Sequence, residues 1–302
     1  MTAYTQVSAN KYKTWLIMLI FAFFITFAVY VFTFALGFQG LSALGFSGIA
    51  LIIAGIMNFF SYYYSDKMVM AISQAKQIQI KDNPTLFRTV ENLCIASGLP
   101  MPKIYIINDS APNAFATGRD PKHAAIAFTK GILDKLTKLE LEGVTAHELS
   151  HVGNYDTRMM TIVSILVGTI ALAADFFLRI SFYSGRNREE RGSNQLMMII
   201  GVLMAILAPI VATLIQLAIS RKREFLADAS GVLLTRNPDG LASALLKISH
   251  DKEPLEAANK ATAHLYIINP LKNRKDAIGW FAKLFNTHPP IEERIRVLHQ
   301  MQ

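Results

Sequence analysis

Apolar residues in this chain gather into four long runs that alternate with two polar blocks. Trp15 to Leu36 is 22 residues without a charged side chain, and Leu41 to Tyr64 is 24. Met159 to Leu178 is 20 residues with Asp175 as its charge, and Leu196 to Ile219 is 24 with none. About 20 apolar residues at a rise of ~1.5 Å each cross the hydrocarbon of a bilayer, so each run predicts a transmembrane helix. Lys11 and Lys13 precede the first run in the manner of a secretory signal. That run exceeds the usual apolar core of such signals and ends in Gly37-Phe38-Gln39-Gly40, so it is expected to be a retained anchor. The pattern divides the chain into an N-terminal tail with helices 1 and 2 (1–64), a polar block (65–158), helices 3 and 4 (159–219) and a second polar block (220–302). Two crossings return the chain to the side it left. The two blocks are therefore expected to face one compartment and join into one domain.

Inside the first block the periodicity changes from segment to segment. Pro84 to Ser97 places Leu86, Val90, Leu93 and Cys94 on one helical face, and Gly98 to Pro102 ends it. Lys103 to Ile107 and His123 to Thr129 are strand-like, with the turn-rich segment Asp109 to Pro121 between them. Lys138 to Gly153 returns to helical spacing. The fold class read from these patterns is an α+β integral membrane protein with four transmembrane helices, mostly helical with a small sheet.

Charge and composition refine this picture. The chain has 302 residues, 52% of them hydrophobic, and a net charge of +8. In a chain with such runs that excess reads as loop bias rather than a nucleic-acid footprint, and no basic motif interleaved with aromatics argues otherwise. Lys11 and Lys13 before the first run, with Lys67, Lys76 and Lys81 after the second, orient both polar blocks to the cytoplasm. The hairpin from Arg179 to Gln195 disagrees, since four arginines there outnumber Glu189 and Glu190. The early helices are expected to dominate. The lone Cys94 can form no intrachain disulfide, so the fold does not rely on an oxidising compartment.

Residues 147 to 151 carry the chemistry: His147-Glu148-Leu149-Ser150-His151. On a helix His147 and His151 project from one face and can bind one metal ion, with Glu148 beside them as a base. Zinc held by two His and a third protein ligand keeps one position open for water. The best third ligand is Glu224, in Arg223-Glu224-Phe225-Leu226-Ala227-Asp228 directly after the fourth run. If the helices bearing these residues continue from adjacent membrane helices, the three ligands lie at similar shallow depths above one membrane face. Asp228, one turn beyond Glu224, suits a residue that orients a ligating His; its other reading is an ion pair with Arg221 or Lys222.

The run Thr145 to Val152, the Glu224 and Asp228 pair, Thr287-His288-Pro289-Pro290, Pro112 to Gly118 and Ala263 to Pro270 together resemble the HtpX family of membrane zinc metalloproteases, related to the CAAX prenyl protease. The resemblance spans residues 112 to 290. It implies a zincin-like (gluzincin) catalytic domain and one zinc ion per chain on His147, His151 and Glu224. Glu148 would be the general base and His288 the donor to the oxygen that gains charge in the transition state. Asn113, Ala114 and Phe115 would form an edge to which an extended substrate adds as a strand. It further implies a bacterial or archaeal inner-membrane endopeptidase, its site on the cytoplasmic face, that degrades misfolded membrane proteins. A CAAX-type processing protease and a non-catalytic scaffold or chaperone with a structural zinc are the alternatives. Intact Glu148 speaks against the scaffold. His123, His250 and His299 lack ligand-spaced partners, His264 has no assignable role, and Asp175 reads as pairing with Arg179.

Overall fold

The computed structural model describes residues 3–35, 40–184, 221–258, 262–270 and 289–301, with the backbone alone over 171–184. The fourth apolar run, most of the hairpin before it, His288 and the Asp175–Arg179 pairing lie outside the described residues. Helix α1 (Ala3–Ala35) and helix α2 (Leu41–Ile72) carry the first two runs. Within them Val7–Tyr30 and Leu44–Ile72 are long and apolar enough, by length and composition, to cross a membrane. Helix α6 (Asp156–Ser184) carries the third run. One side of each helix closes a shared cluster in which Ile17, Phe21 and Phe24 meet Ala54 and then Met159, Val163 and Leu166. The other side is just as apolar: Trp15, Leu19 and Phe23 of α1 and Ile52, Ile53 and Ile56 of α2 are exposed. A helix apolar on the side it does not pack is unfavourable in water and suited to lipid.

The polar blocks fold around one four-stranded sheet. Strand β1 (Lys76–Gln77) is followed by helix α3 (Pro84–Ser97), then by strands β2 (Lys103–Ile107), β3 (Ala114–Thr117) and β4 (Ala125–Thr129). The spatial order is β1-β2-β4-β3, with β2 and β4 parallel and both outer pairs antiparallel. Both ends of α3 were legible in sequence: the Asn83 side chain accepts from Leu86 N–H, Pro84 fills the first turn, and Gly98 closes the helix at φ 69°. Strand β4 begins at Ala125, two residues later than expected, because Pro121–His123 is a short 3-10 turn capped by Asp120. Strand β3 lies inside the segment read as turns. At four residues between Pro112 and Gly118 it has no periodicity of its own and exists by pairing with β4.

Period-two alternation sorts β4 between two cores. Ile126 and Phe128 join Leu86, Val90, Val144 and Leu149 under the helices, while Ala125 and Ala127 face Phe115, Met160, Ile165 and Tyr266. Small residues on that second face let α6 approach the sheet. Short helix α4 (Lys130–Lys135) leads into helix α5 (Lys138–Gly153), whose start is a full capping box of Thr137 and Glu140. Glu140 also accepts from Lys247 Nζ at 2.8 Å, on helix α8 (Pro238–His250). Helix α7 (Arg221–Thr235) crosses α5 closely at Gly231, where an added Cβ would stand 3.1 Å from His147 N. Helix α9 (Ile291–His299) packs on α7 and α8.

One expectation is corrected. Helix α5 does not run on into the third apolar run, because Asn154 caps it and Tyr155 takes φ 60° before α6 begins at Asp156. The metal-motif helix and the third apolar run are thus two helices joined by a sharp turn.

Candidate metal centre

Helix α5 is buried along nearly its whole length, and α7 lays Glu224 and Asp228 against its motif face. His147 Nε2 and His151 Nε2 stand 3.2 Å apart. Glu224 completes the triangle, its Oε2 3.8 Å from His147 Nε2 and its Oε1 3.6 Å from His151 Nε2. Donors bound to one tetrahedral zinc at ~2.1 Å sit ~3.4 Å from each other, so the three are spaced to hold one ion. None of the three is more than 5% exposed.

The other ring nitrogens are held by carboxylates. His147 Nδ1 is 2.9 Å from Asp228 Oδ1, and His151 Nδ1 is 3.1 Å from Asp156 Oδ2. Each ring thereby donates outward from Nδ1 and turns the Nε2 lone pair toward the centre, the arrangement that fits a metal-ligating histidine. Asp228 therefore stands where a residue that orients His147 would stand. Its ion pair is with neither Arg221 nor Lys222: Arg294 of α9 grips it with two donors, Nε to Oδ2 at 2.9 Å and an Nη to Oδ1 at 2.6 Å. Arg294 is fully buried, donates to Ile267 O at 3.2 Å and lies 3.7 Å from Glu224 Oε2.

Among the described residues the buried centre holds four carboxylates, Glu148, Asp156, Glu224 and Asp228, against two guanidiniums, Arg223 and Arg294. Two negative charges are left over with both histidines neutral, which is what a divalent cation balances. Burial and these charges together set the proton affinities of the centre. Burial alone would depress the His151 imidazole, yet Asp156, Glu224 and Glu148 push it up to about 9. His147 is held below its usual value by burial, despite Asp228, with His151 and Arg294 adding to the depression. Burial raises the Glu148 carboxyl to about 7; His151, a backbone hydrogen bond from Ala116 and Arg294 pull against that rise, and Glu224 adds to it. Asp228 stays below the ordinary carboxylate range: burial would raise it, but Arg294 and His147 overcome that. The donor set, its spacing and its charge all fit a divalent metal.

Beside this centre lies the segment expected to receive an extended substrate. Asn113, Ala114 and Phe115 are buried. Ala114 O already accepts from Ile267 N–H at 3.0 Å, the Asn113 amide donates to Ile268 O, and Phe115 packs edge-on against Tyr266 at 4.9 Å between ring centroids. Ile267 and Ile268 thus lie against Ala114 and Asn113 at this segment. Further along β3, Gly118 N–H donates to Thr161 Oγ at 3.4 Å.

His264 finds its place here too. It is fully buried, with Nε2 3.1 Å from Ser164 Oγ and 3.2 Å from Met160 O, tying the 262–270 segment to α6. His123, His250 and His299 stand away from the centre, His123 and His299 against Asp120 and Asp239. Sequence reading missed Asp156 and Arg294. Asp156 left a faint signal, an acid five residues past His151 at the mouth of an apolar run. Arg294 left none, because Glu292-Glu293-Arg294-Ile295-Arg296 reads as a solvated helix face.

A helix with paired histidines, a carboxylate third donor from a second helix and a buried glutamate between them define a metallopeptidase of the His-Glu-x-x-His type. Comparison with known proteins gives the family. Residues 80–302 match the model of peptidase family M48, and the chain belongs to that family. A relative named Protease HtpX homolog from Dictyoglomus thermophilum is 44% identical over 302 residues, which cover 99% of this chain and 95% of the relative. One of the same name from Tropheryma whipplei strain Twist is 46% identical over 303 residues, covering 99% and 98%. The crystal structure of S. mikatae Ste24p aligns over 95% of this chain with TM-score 0.49 and 18% identity, and this chain spans 66% of that one. The protein is a metalloprotease, and its substrates are proteins.

Proposed function

We propose that this chain is a multi-pass membrane zinc endopeptidase in which His147, His151 and Glu224 hold the ion and Glu148 is the general base. The observation that carries the reading is the meeting of three buried donors within 4.8 Å of one another beside a buried carboxylate. Zinc held by these three residues would supply Lewis acidity to water and to the scissile carbonyl. The residues of the chain do the rest. Glu148 takes a proton from water and returns it to the leaving amine. Asp228 and Asp156 hold the two imidazoles in the tautomer that leaves Nε2 free to ligate. Arg294 keeps Asp228 ionised and in place. His288, by the resemblance, donates to the carbonyl oxygen as it gains charge.

A membrane setting is supported by the aromatic belt next to the site. Trp15 stacks on Tyr62 at 5.8 Å, and Arg158, Arg119 and Lys67 lie over Tyr62, Tyr63 and Tyr64. Such amphipathic rings and basic side chains collect at the headgroup level. This favours a zinc site just above the bilayer surface and substrates presented there. The lysine bias favours the cytoplasmic face, and the family resemblance favours a bacterial or archaeal inner membrane and misfolded membrane proteins as substrates.

The test is cleavage of an unfolded protein by detergent-purified, metal-stripped enzyme with and without zinc. Activity should return with zinc, and Glu148→Gln should retain the ion while cleavage falls by orders of magnitude. Zinc binding by the wild type without cleavage of any of several substrates would instead favour the scaffold reading.

A further inference from the structure

The turn that joins α5 to α6 is held from an unexpected direction. Asn10, in α1 and fully buried, donates its amide to Asn154 O at 2.9 Å and to Asp156 Oδ1 at 2.7 Å. Both partners accept, so the orientation of the amide is fixed: its nitrogen must face them. Its neighbour Lys11 lies over the Tyr155 ring at 4.5 Å. All three residues of the turn, one of them at φ 60°, therefore touch positions 10 and 11. The second oxygen of Asp156 is the one that meets His151 Nδ1. A continuous path, Asn10 to Asp156 to His151, runs from the first apolar helix to a proposed metal ligand.

We propose that Asn10 is a positioning residue of the metal centre, and that α1 is a part of the site as well as an anchor. The inference rests on the zinc reading. It also reaches outside the residues that define the family, since the M48 match begins at residue 80. The physical reason is the fixed plane of a carboxylate. Asp156 has two oxygens in one plane; Asn10 fixes one of them, and so sets where the other accepts from His151. Arg223 Nε, 3.7 Å from the same Oδ1, is too far to set that angle alone. Without the amide donor, Asp156 can rotate, the His151 ring loses its fixed direction, and the Nε2 lone pair no longer points steadily at the ion. Partners at this remove from a metal commonly change affinity by about 10-fold or more when lost.

Zinc affinity of the full-length protein in detergent, measured by competition with a chromogenic chelator, tests this without reference to activity. Asn10→Leu keeps nearly the same shape and removes the donor, and should weaken zinc about 10-fold. Asp156→Asn should weaken it as well, because its new amide then faces the amide of Asn10. Ile17→Ala loosens the packing of α1 on α6 without touching Asp156; it should lower the melting temperature and leave zinc affinity within about twofold. The proposal is overturned if Asn10→Leu binds zinc like the wild type, or if Ile17→Ala weakens zinc equally. A wild type that binds no zinc would overturn the metal reading itself, a result separate from both.

Discussion

Single residues at the centre of this protein differ sharply in what they can tolerate. Arg294 is the clearest case, because it is a buried cation clamped on a buried carboxylate that in turn directs His147. Arg294→Met should destabilise the protein by ~3–5 kcal/mol, as breaking one half of a buried pair leaves the other charge uncompensated. Arg294→Lys should recover little, since a single ammonium cannot reproduce the two-donor grip on both Asp228 oxygens. Thermal unfolding together with zinc affinity checks both, and a lysine variant equal to wild type in both would contradict the geometry. At this scale the sequence was most informative where spacing alone carries meaning. His147, Glu148 and His151 could be read because four residues along a helix make one face. Glu224 was read from its place directly after the fourth apolar run, and Asp228 from standing one turn beyond it. Arg294, 66 residues past Asp228, carries no spacing signal, and its burial exists only once α9 is packed.

Elements depend on a few local devices, and their contributions can be separated. The start of α5 rests on Glu140, which accepts from Thr137 N–H at 2.7 Å and from Lys247 Nζ at 2.8 Å. Burial alone would raise this carboxyl, but Lys247 and Thr137 hold it below the ordinary value. A carboxyl depressed in the folded state adds stability that is present above its unfolded value and is lost as pH falls through the folded one. Glu140→Gln should therefore cost ~1 kcal/mol near neutrality, in the range of a lost helix cap. Its melting temperature should converge on that of the wild type as pH drops below the usual glutamate range. A constant difference across that window would show that packing, not charge, is responsible. Gly231 marks a different device, the close crossing of α7 on α5 at His147. Gly231→Ala puts a methyl 3.1 Å from His147 N and 3.3 Å from Ala146 C. Backbone cannot yield as a side chain does, so ~1–3 kcal/mol of overpacking cost is expected, with weaker zinc binding as α7 shifts Glu224 away. Differential scanning fluorimetry and chelator competition on the same sample would show whether the two losses coincide.

Across the whole molecule, the catalytic block and the apolar helices are one packed object. Met160 and Ile165 of α6 belong to the same core as Phe115, Ala127 and Tyr266, while Met159 and Val163, on the same helix, belong to the core of α1 and α2. A fragment of residues 80–302, the extent of the family match, would expose the second of these faces and lose Asn10. It should elute as an aggregate without detergent and, if kept dispersed, bind zinc more weakly than the full chain. Size-exclusion chromatography with metal analysis of each fraction would report both.

What the sequence determined by itself was set by composition and period. Runs such as Trp15 to Leu36 are too long and too apolar for water, and the alternation in Lys103 to Ile107 and the capped period of Pro84 to Ser97 each suit one local conformation. His147 and His151 share a face wherever that helix is placed. The tertiary structure decided everything that needs two distant segments to meet. It set residues 262–270 against β3, broke α5 from α6 at Tyr155, brought Asp156 and Arg294 to the histidines, and placed Asn10 behind Asp156. The reason is physical: a local period is written in neighbouring residues, whereas a buried charge or an edge hydrogen bond gains its strength from desolvation by segments that are far away in the chain.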